Sequence, residues 1–316
     1  MIASVGASLR KVVAGHAATL ADAGVDSPLA DASALARHVL DVDTATLRTA
    51  TAGTIDSARL RRLEQVVARR AARTPLQHLT GEVGFRQLAL TCRPGVFVPR
   101  PETELLAGAA VAAARAALVH SGTARVVEPC TGTGAVALSV ATEVDGVEVV
   151  ATDRSPDACR LARENLQRLT AEGRLGNSVC RVLVGDLLQP VPSWLLGRVD
   201  VVVANPPYLT PDEVAASPPE VRIYEPLDAL LGGPDGNAVV ERLLRDGLRW
   251  LRPGGHLLLE VGESRAAHLA TRACALGYVE VGMENDLAGR SRILVARLRA
   301  EGGRERRSVG AHGGGP

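Results

Sequence analysis

Aromatic side chains are nearly missing from this chain of 316 residues, which has two Phe, two Trp and three Tyr. A core made without them must be built from Ala, Val and Leu, and an aromatic inside a motif calls for a reason of its own. Lysine is scarcer still, with Lys11 alone against 35 arginines. That skew reads as genomic base composition, because arginine has no general advantage on a solvated surface. An excess of one charge is also lacking. The net charge is +1, so nothing in the global balance demands nucleic acid. The five cysteines (Cys92, Cys130, Cys159, Cys180 and Cys274) are scattered and odd in number. They form no CxxC pair, which argues against a zinc site or a disulfide framework. The seven histidines show no ligand spacing, so no metal is expected. There is no apolar run of the roughly 18 residues a membrane span needs. The N-terminus lacks the basic start and long apolar segment of a signal peptide. A soluble cytoplasmic protein is expected. Hydrophobic residues make up 46% of the chain, enough for a real core, and the length allows one large domain or two ordinary ones.

Residues 1–75 read as helices. Apolar positions recur at three and four in Leu9, Val12 and Val13, and again in Leu35, Val39 and Leu40. Asp56-Ser57 suits the start of a helix with Leu60, Leu63, Val66 and Val67 on one face. The other face holds Arg59, Arg62, Arg69, Arg70 and Arg73, a solvated face or a docking surface for an RNA-rich or acidic partner. Residues 1–100 carry 13 Arg+Lys against 8 Asp+Glu, a net +5 that leans toward docking. Residues 76–100 change character. Phe85–Cys92 alternates like a strand, with Gly81 and Gly84 suited to a turn before it. A proline-punctuated connector, Pro94–Pro101, follows, and a domain boundary is placed near residue 95. Pro101 suits the first turn of a helix reaching Val119.

From residue 124 strand and helix alternate. Strands are expected at Arg125–Glu128, Val147–Asp153, Val179–Gly185, Val199–Ala204, His256–Val261, Tyr278–Met283 and Arg292–Leu298. Several are unbroken Val/Leu runs, as in a sheet covered on both faces. The fold class is α/β, a parallel doubly wound sheet with an antiparallel edge from the last pair. The tail from Glu301 has no periodicity and is expected to be disordered.

The segment Val126-Val-Glu-Pro-Cys-Thr-Gly-Thr-Gly-Ala-Val-Ala137 places a glycine turn between a strand and a helix. Gly132 and Gly134 let the backbone turn tightly and approach a ligand. Asp153 ends the next strand, 19 residues after Gly134, and can accept both hydroxyls of a ribose. The spacing fits a dinucleotide fingerprint as well as S-adenosylmethionine. Charge separates the two: Glu128 would oppose a pyrophosphate and favour the ammonium of a methionyl group, which tips the motif toward S-adenosylmethionine. Asp186 ends the third strand and reads either as a turn residue or as an acceptor for the adenine amino group. Both strand-end acids fall at the carboxyl edge of the sheet, where open α/β folds bind ligands.

Asp200-Val-Val-Val-Ala-Asn-Pro-Pro-Tyr208 is the most informative stretch. A buried strand runs into Asn205, then two prolines that cannot continue it, then one of the three tyrosines. The Asn205 side-chain oxygen and the Pro206 carbonyl can accept the two N–H bonds of a planar amide or amino group. Tyr208 can lie flat against that group. Such a nitrogen is a poor nucleophile, and positioning of this kind can supply up to about 7–11 kcal/mol of barrier lowering. The methylated cation it forms is very acidic, so no dedicated general base and no metal are expected.

Asn205-Pro-Pro-Tyr208 after the Gly-Thr-Gly loop resembles the amino-methyltransferases, and the details resemble the HemK/PrmC family of peptide chain release factor glutamine N5-methyltransferases. The supporting stretches are Pro75–Gly81, Val98-Pro-Arg-Pro-Glu-Thr-Glu104, Pro156-Asp-Ala158 with Asn165, Val221-Arg-Ile-Tyr-Glu-Pro226 and Leu251–Glu260. The match runs from about residue 10 to residue 298. It implies a helical substrate-gripping domain (1–75), a β-hairpin and linker (76–100), a Rossmann-like S-adenosylmethionine methyltransferase domain (101–300) and a tail (301–316). It implies a class I release factor as protein partner, methylated on the glutamine of its Gly-Gly-Gln tripeptide. From the balanced charge and the missing apolar run, no membrane and no direct nucleic-acid binding are expected. By position, the cofactor would be held by Glu128, the loop Cys130, Thr131, Gly132, Thr133 and Gly134, Asp153, Asp186, Leu187 and Asn205. The substrate amide would meet Asn205, Pro206, Pro207 and Tyr208, of which Asn205, Pro206 and Tyr208 carry the catalysis. The sequence departs from the family pattern at two places. Cys130 stands where a glycine is usual, as a packing thiol in a conformation open to a side chain. Leu187 stands where some members carry an aromatic over the adenine. The alternative substrates are an exocyclic amino group of a nucleic-acid base, which must be extruded to be reached, and a ribosomal-protein glutamine.

Overall fold

The computed structural model describes residues 8–300, so the tail expected from Glu301 onward lies outside the described residues. The chain opens with helices Leu9–Asp22, Pro28–Leu40, Thr44–Thr49 and Ser57–Ala71, then a short helix Leu76–Thr80. Local chemistry fixes their starts. Asp43 accepts the Thr46 N–H at 2.7 Å and Asp56 the Ala58 N–H at 3.0 Å, each satisfying a donor that a helix start leaves unpaired. Leu63, Val66 and Val67 pack with Leu9, Leu20, Leu35 and Leu40 in one helical core.

The arginine face of Ser57–Ala71 is neither a plain solvated face nor a free docking surface. Arg70 is buried and holds Asp31 at 2.7 Å and Glu220 at 2.8 Å. Arg73 holds Glu220 at 2.7 Å, and Arg59 donates to the Leu40 carbonyl at 2.7 Å. Only Arg62 and Arg69 of the five remain exposed without such a partner among the described residues. The acids that draw Arg70 and Arg73 inward lie far away in sequence.

Strands β1 (Glu82–Phe85) and β2 (Leu88–Thr91) form an antiparallel hairpin. The turn is Arg86-Gln87, not Gly84, which lies in β1 opposite Ala89. Arg86 adopts a left-handed φ of 51° there. Its guanidinium is fixed by two 2.7 Å bonds to Glu143 and one of 3.0 Å to the Glu104 carbonyl. A tertiary anchor thus sets a turn that glycine position alone misplaces.

The main sheet comprises β3 (Arg125–Pro129), β4 (Glu148–Asp153), β5 (Val179–Val184), β6 (Val199–Ala204), β7 (Leu251–Glu260), β8 (Tyr278–Asn285) and β9 (Ser291–Leu298). Their spatial order is β5-β4-β3-β6-β7-β9-β8. The first five run parallel, and β9 lies antiparallel to both β7 and β8. All six residues of β6 are buried. Val201 and Val203 enter the core on one face, Val202 and Ala204 the core on the other. β7 begins earlier than expected: Val199 pairs with Leu251 and Val201 with His256, so Pro253-Gly-Gly255 bulges out of a continuous strand. Helix Thr103–Ser121 is long and apolar enough by length to cross a membrane, but it buries Leu106, Ala110, Val111, Ala114 and Ala117 in the first of these cores. The order reverses at β3, whose neighbours are β4 and β6, and the glycine loop leaves the sheet at that point.

Candidate functional site

At this reversal lies a cavity of about 600 Å³, within the range of small-molecule sites. Its wall includes Glu128, Cys130, Thr131, Gly132, Thr133, Asp153, Asp186, Leu187 and Asn205 through Tyr208. Gly134 lies off this wall. Its φ is 86°, and a Cβ there would come within 3.0 Å of Leu138 and 3.3 Å of Ala162, so it serves the packing of the loop on the helix behind it. Gly132, with φ 55°, faces open space: a Cβ there would meet nothing within 4 Å. Cys130 takes the left-handed conformation itself, at φ 61°, a strain of about 1–2 kcal/mol for a residue with a side chain. Burial first, then the charges of Asp153 and Glu128, push its thiol upward, so it stays protonated.

Glu128 is the buried carboxyl of this loop. Oε2 accepts the Thr131 hydroxyl and, at 3.0 Å, the N–H of Ala137 in the first turn of helix Ala135–Glu143. Among the described residues no donor reaches Oε1. Burial pushes the carboxyl up to about 8, against the pull of the Thr131 and Ala137 bonds. A helix start already capped by a carboxylate opposes a pyrophosphate and welcomes a cation. The residues present therefore fit a ligand with an ammonium group and no phosphate.

Asp153 accepts the Gly132 N–H through Oδ2 and the Ser155 N–H through Oδ1, both at 2.9 Å, which fixes its orientation at the end of β4. Burial raises its carboxyl above the usual range. Asp186 is held by Arg242, whose Nη2 lies 2.6 Å from Oδ2. Nothing in the sequence pattern pointed to that arginine. Leu187 is buried with φ 48°, and its carbonyl accepts the Thr152 hydroxyl at 2.6 Å. Asn165, fully buried, donates to the Thr133 carbonyl at 3.0 Å and accepts the Thr91 N–H at 2.8 Å, tying the hairpin to the glycine loop.

On the opposite wall β6 ends and Asn205-Pro-Pro-Tyr208 turns out of the sheet. This turn is backed by the loop Leu231–Asn237. Leu209 donates to the Leu230 carbonyl and accepts from Gly232, both at 2.9 Å. A Cβ on Gly232 would lie 2.7 Å from the Pro207 oxygen and from the Tyr208 Cα, and one on Gly236 2.5 Å from the Tyr208 oxygen. Arg265 also donates to the Tyr208 carbonyl at 2.6 Å. Asn205 Nδ2 donates to Thr103 Oγ1 at 3.1 Å, Thr103 Oγ1 donates to Glu260 Oε2 at 2.7 Å, and the Tyr208 hydroxyl donates to Glu260 Oε1 at 3.3 Å. Burial raises the Glu260 carboxyl and, with the Glu260 charge, the Tyr208 phenol, which stays a donor. Among the described residues no donor reaches Asn205 Oδ1 or the Pro206 carbonyl.

Glu225 closes a third side. Its buried carboxylate accepts Arg100 at 2.6 Å and the Val98 N–H at 3.3 Å, which joins the proline connector to the segment Pro219–Pro226. Burial pushes it up to about 7, against the Arg100 charge. Thr103, Glu260, Arg242, Gly232 and Glu225 were given no role from sequence. One signal was available for Glu260, which ends a strand at the carboxyl edge just as Asp153 does.

Residues 12–81 match the PrmC N-terminal domain and residues 89–218 the methyltransferase small domain. The chain is 40% identical over 291 residues to a release factor glutamine methyltransferase of Mycolicibacterium smegmatis, covering 91% of this chain and 97% of that protein. It is 39% identical over 279 residues to that of Streptomyces coelicolor, covering 88% and 94%. Among solved structures, the METTL16 catalytic domain in complex with an RNA hairpin of the MAT2A 3′ untranslated region is 15% identical. It covers 74% of this chain and 81% of that one at a TM-score of 0.50, a likeness of fold.

Proposed function

This chain belongs to the release factor glutamine methyltransferase family, and from that premise we propose that it uses S-adenosyl-L-methionine to methylate N5 of the glutamine in the Gly-Gly-Gln tripeptide of a class I release factor. The observation that carries the reading is a pair of acceptors, Asn205 Oδ1 and the Pro206 carbonyl, with no protein donor among the described residues, beside Tyr208 on the wall of the cavity that holds Glu128 and Asp153.

When bound, S-adenosyl-L-methionine supplies an electrophilic methyl group. Glu128 Oε1 would take its ammonium, Asp153 its ribose hydroxyls, and Gly132 leaves room beside the loop. Asn205 Oδ1 and the Pro206 carbonyl would each accept one N–H of the substrate amide, fixing the nitrogen in place and in plane. Tyr208 would lie against that plane, with its hydroxyl tethered to Glu260. Pro206 and Pro207 keep the turn stiff, so little ordering is left for the moment of reaction. The charge formed on nitrogen leaves as a proton to water, so no side chain need act as base.

Methylation of a nucleic-acid base is not favoured. The relatives are named for release factors, and three of the five arginines Arg59, Arg62, Arg69, Arg70 and Arg73 bond inward, away from any phosphate. A cytoplasmic setting goes with this substrate, and the five free cysteines suit a reducing compartment. The test is transfer of labelled methyl from S-adenosyl-L-methionine in a mixture of purified release factor, ribosomal proteins, duplex DNA and ribosomal RNA. Label in the peptide holding Gly-Gly-Gln is the expected result. Label confined to nucleic acid or ribosomal protein would overturn it.

A further inference from the structure

An asparagine amide has two ends of nearly equal size and opposite hydrogen-bonding character. For Asn205 to accept a substrate N–H, Oδ1 must face the cavity and Nδ2 must face away. A half-turn of the amide would present two donors to a donor and repel the substrate. Neither the rigid prolines nor the strand end controls that rotation, because both act on the backbone.

The control lies in two residues from other elements. Thr103 is the first residue of helix Thr103–Ser121, yet its hydroxyl bonds to another element. It donates to Glu260 Oε2 at 2.7 Å, which spends its single proton. Its oxygen is then available to Asn205 only as an acceptor, and only Nδ2 can satisfy it, at 3.1 Å. Glu260 ends β7, is buried, and receives the Tyr208 hydroxyl on Oε1 at 3.3 Å. One carboxylate therefore sets the direction of both hydrogen-bond arms. We propose that Thr103 and Glu260 are positioning residues: through the Thr103 hydroxyl, Glu260 locks the Asn205 amide with its oxygen toward the substrate, and through its second oxygen it holds the Tyr208 ring. This rests on the methylation reading given above and adds to it the residues that set the polarity of the amide clamp.

The chain has five asparagines, so selective ¹⁵N-asparagine labelling resolves the Asn205 side-chain NH2 without any substrate. In Thr103→Val, which keeps the volume but removes the acceptor, that signal should move toward the position of a solvated amide, and in Thr103→Ser it should stay. In parallel, kcat for methyl transfer to a release factor should fall about 10- to 100-fold in Thr103→Val, while KM and cofactor affinity stay within about threefold. Thr103→Ser should recover most of kcat. Glu260→Gln retains the side chain's shape but can serve only one of the two arms as an acceptor, so it should also lower kcat. An unmoved Asn205 signal in Thr103→Val overturns the proposal, as does a variant with full kcat. So does a Thr103→Ser as impaired as Thr103→Val. Should the wild-type protein label no release factor, the functional reading fails, and the amide signal still decides whether Thr103 holds Asn205.

Discussion

Glu128 Oε2 and the Ala137 N–H lie 3.0 Å apart, so a carboxylate from the end of β3 caps the helix that the glycine loop leads into. Its burial makes a prediction with a definite sign. The carboxyl stands at about 8 instead of the usual 4.5. A cationic ligand wants it ionised. Cofactor affinity should therefore rise with pH from 6 to 8, by up to about tenfold per pH unit, and level off above. Glu128→Gln should flatten this rise and weaken binding at pH 8. Calorimetric titration at several pH values checks both.

The same group affects stability without ligand. Between pH 4.5 and 8 the folded chain holds a proton at Glu128 that the unfolded chain has released. With its folded value raised, its contribution is present below the unfolded value and is lost as pH rises through that window. The ligand-free Glu128→Gln protein should show a smaller drop in Tm between pH 5 and 8 than wild type. An equal drop in both would contradict the placement of the proton.

How much of this was legible follows from the range of each interaction. The parallel strands were readable because a buried strand shows itself as an unbroken apolar run, as in Val199–Ala204. The place of Asn205 and Asp153 on the cavity wall was readable because both lie at strand ends on the carboxyl edge of the sheet. Thr103 was hidden because its partners, Asn205 and Glu260, are 102 and 157 residues away. Arg70 looked like a surface residue because its period put it opposite the leucines, and Glu220 is 150 residues on. The hairpin turn was misplaced for the same reason, since Arg86 is held by Glu143. Periodicity reports which face is apolar; it cannot report which distant acid neutralises a charge on the other face.

Asn205→Ala removes one of the two acceptors and leaves the loop on the facing wall intact. Transfer should fall at least about 100-fold, while cofactor affinity stays within a few-fold. Single-turnover kinetics with an equilibrium binding measurement separate the two. A lost cofactor site would contradict the role given to Asn205.

Gly232 has no room for a side chain: a Cβ would sit 2.6 Å from the Gly236 oxygen and 2.7 Å from the Pro207 oxygen. These neighbours are backbone and cannot swing aside. Gly232→Ala should push Pro207 and Tyr208 toward the cavity, destabilising the protein by about 1–3 kcal/mol. It should lower kcat more than it lowers cofactor affinity. Gly81→Ala is the control, because a Cβ there meets nothing within 4 Å although φ is 76°. Its only cost is that of a left-handed backbone, which Gly232 does not have, and it should leave the ratio of kcat to cofactor affinity unchanged.

Arg70 joins two parts of the chain through two acids. Its side chain is 8% exposed, and those of Asp31 and Glu220 are 12% and 16%. Glu220 begins the segment that carries Val221, on the cavity wall, and Glu225. Arg70→Ala would take the shared arginine from two largely buried carboxylates, and removing one partner of a buried pair costs about 3–5 kcal/mol. The loss seen in urea denaturation should lie near the low end, because Arg73 still reaches Glu220 at 2.7 Å. Replacing the acids as well, by Asp31→Asn and Glu220→Gln in the Arg70→Ala background, should restore part of the stability, since the unpaired charge and not the missing attraction is the larger cost. A triple variant no more stable than Arg70→Ala would show that packing of the arginine stem, and not charge, holds this junction.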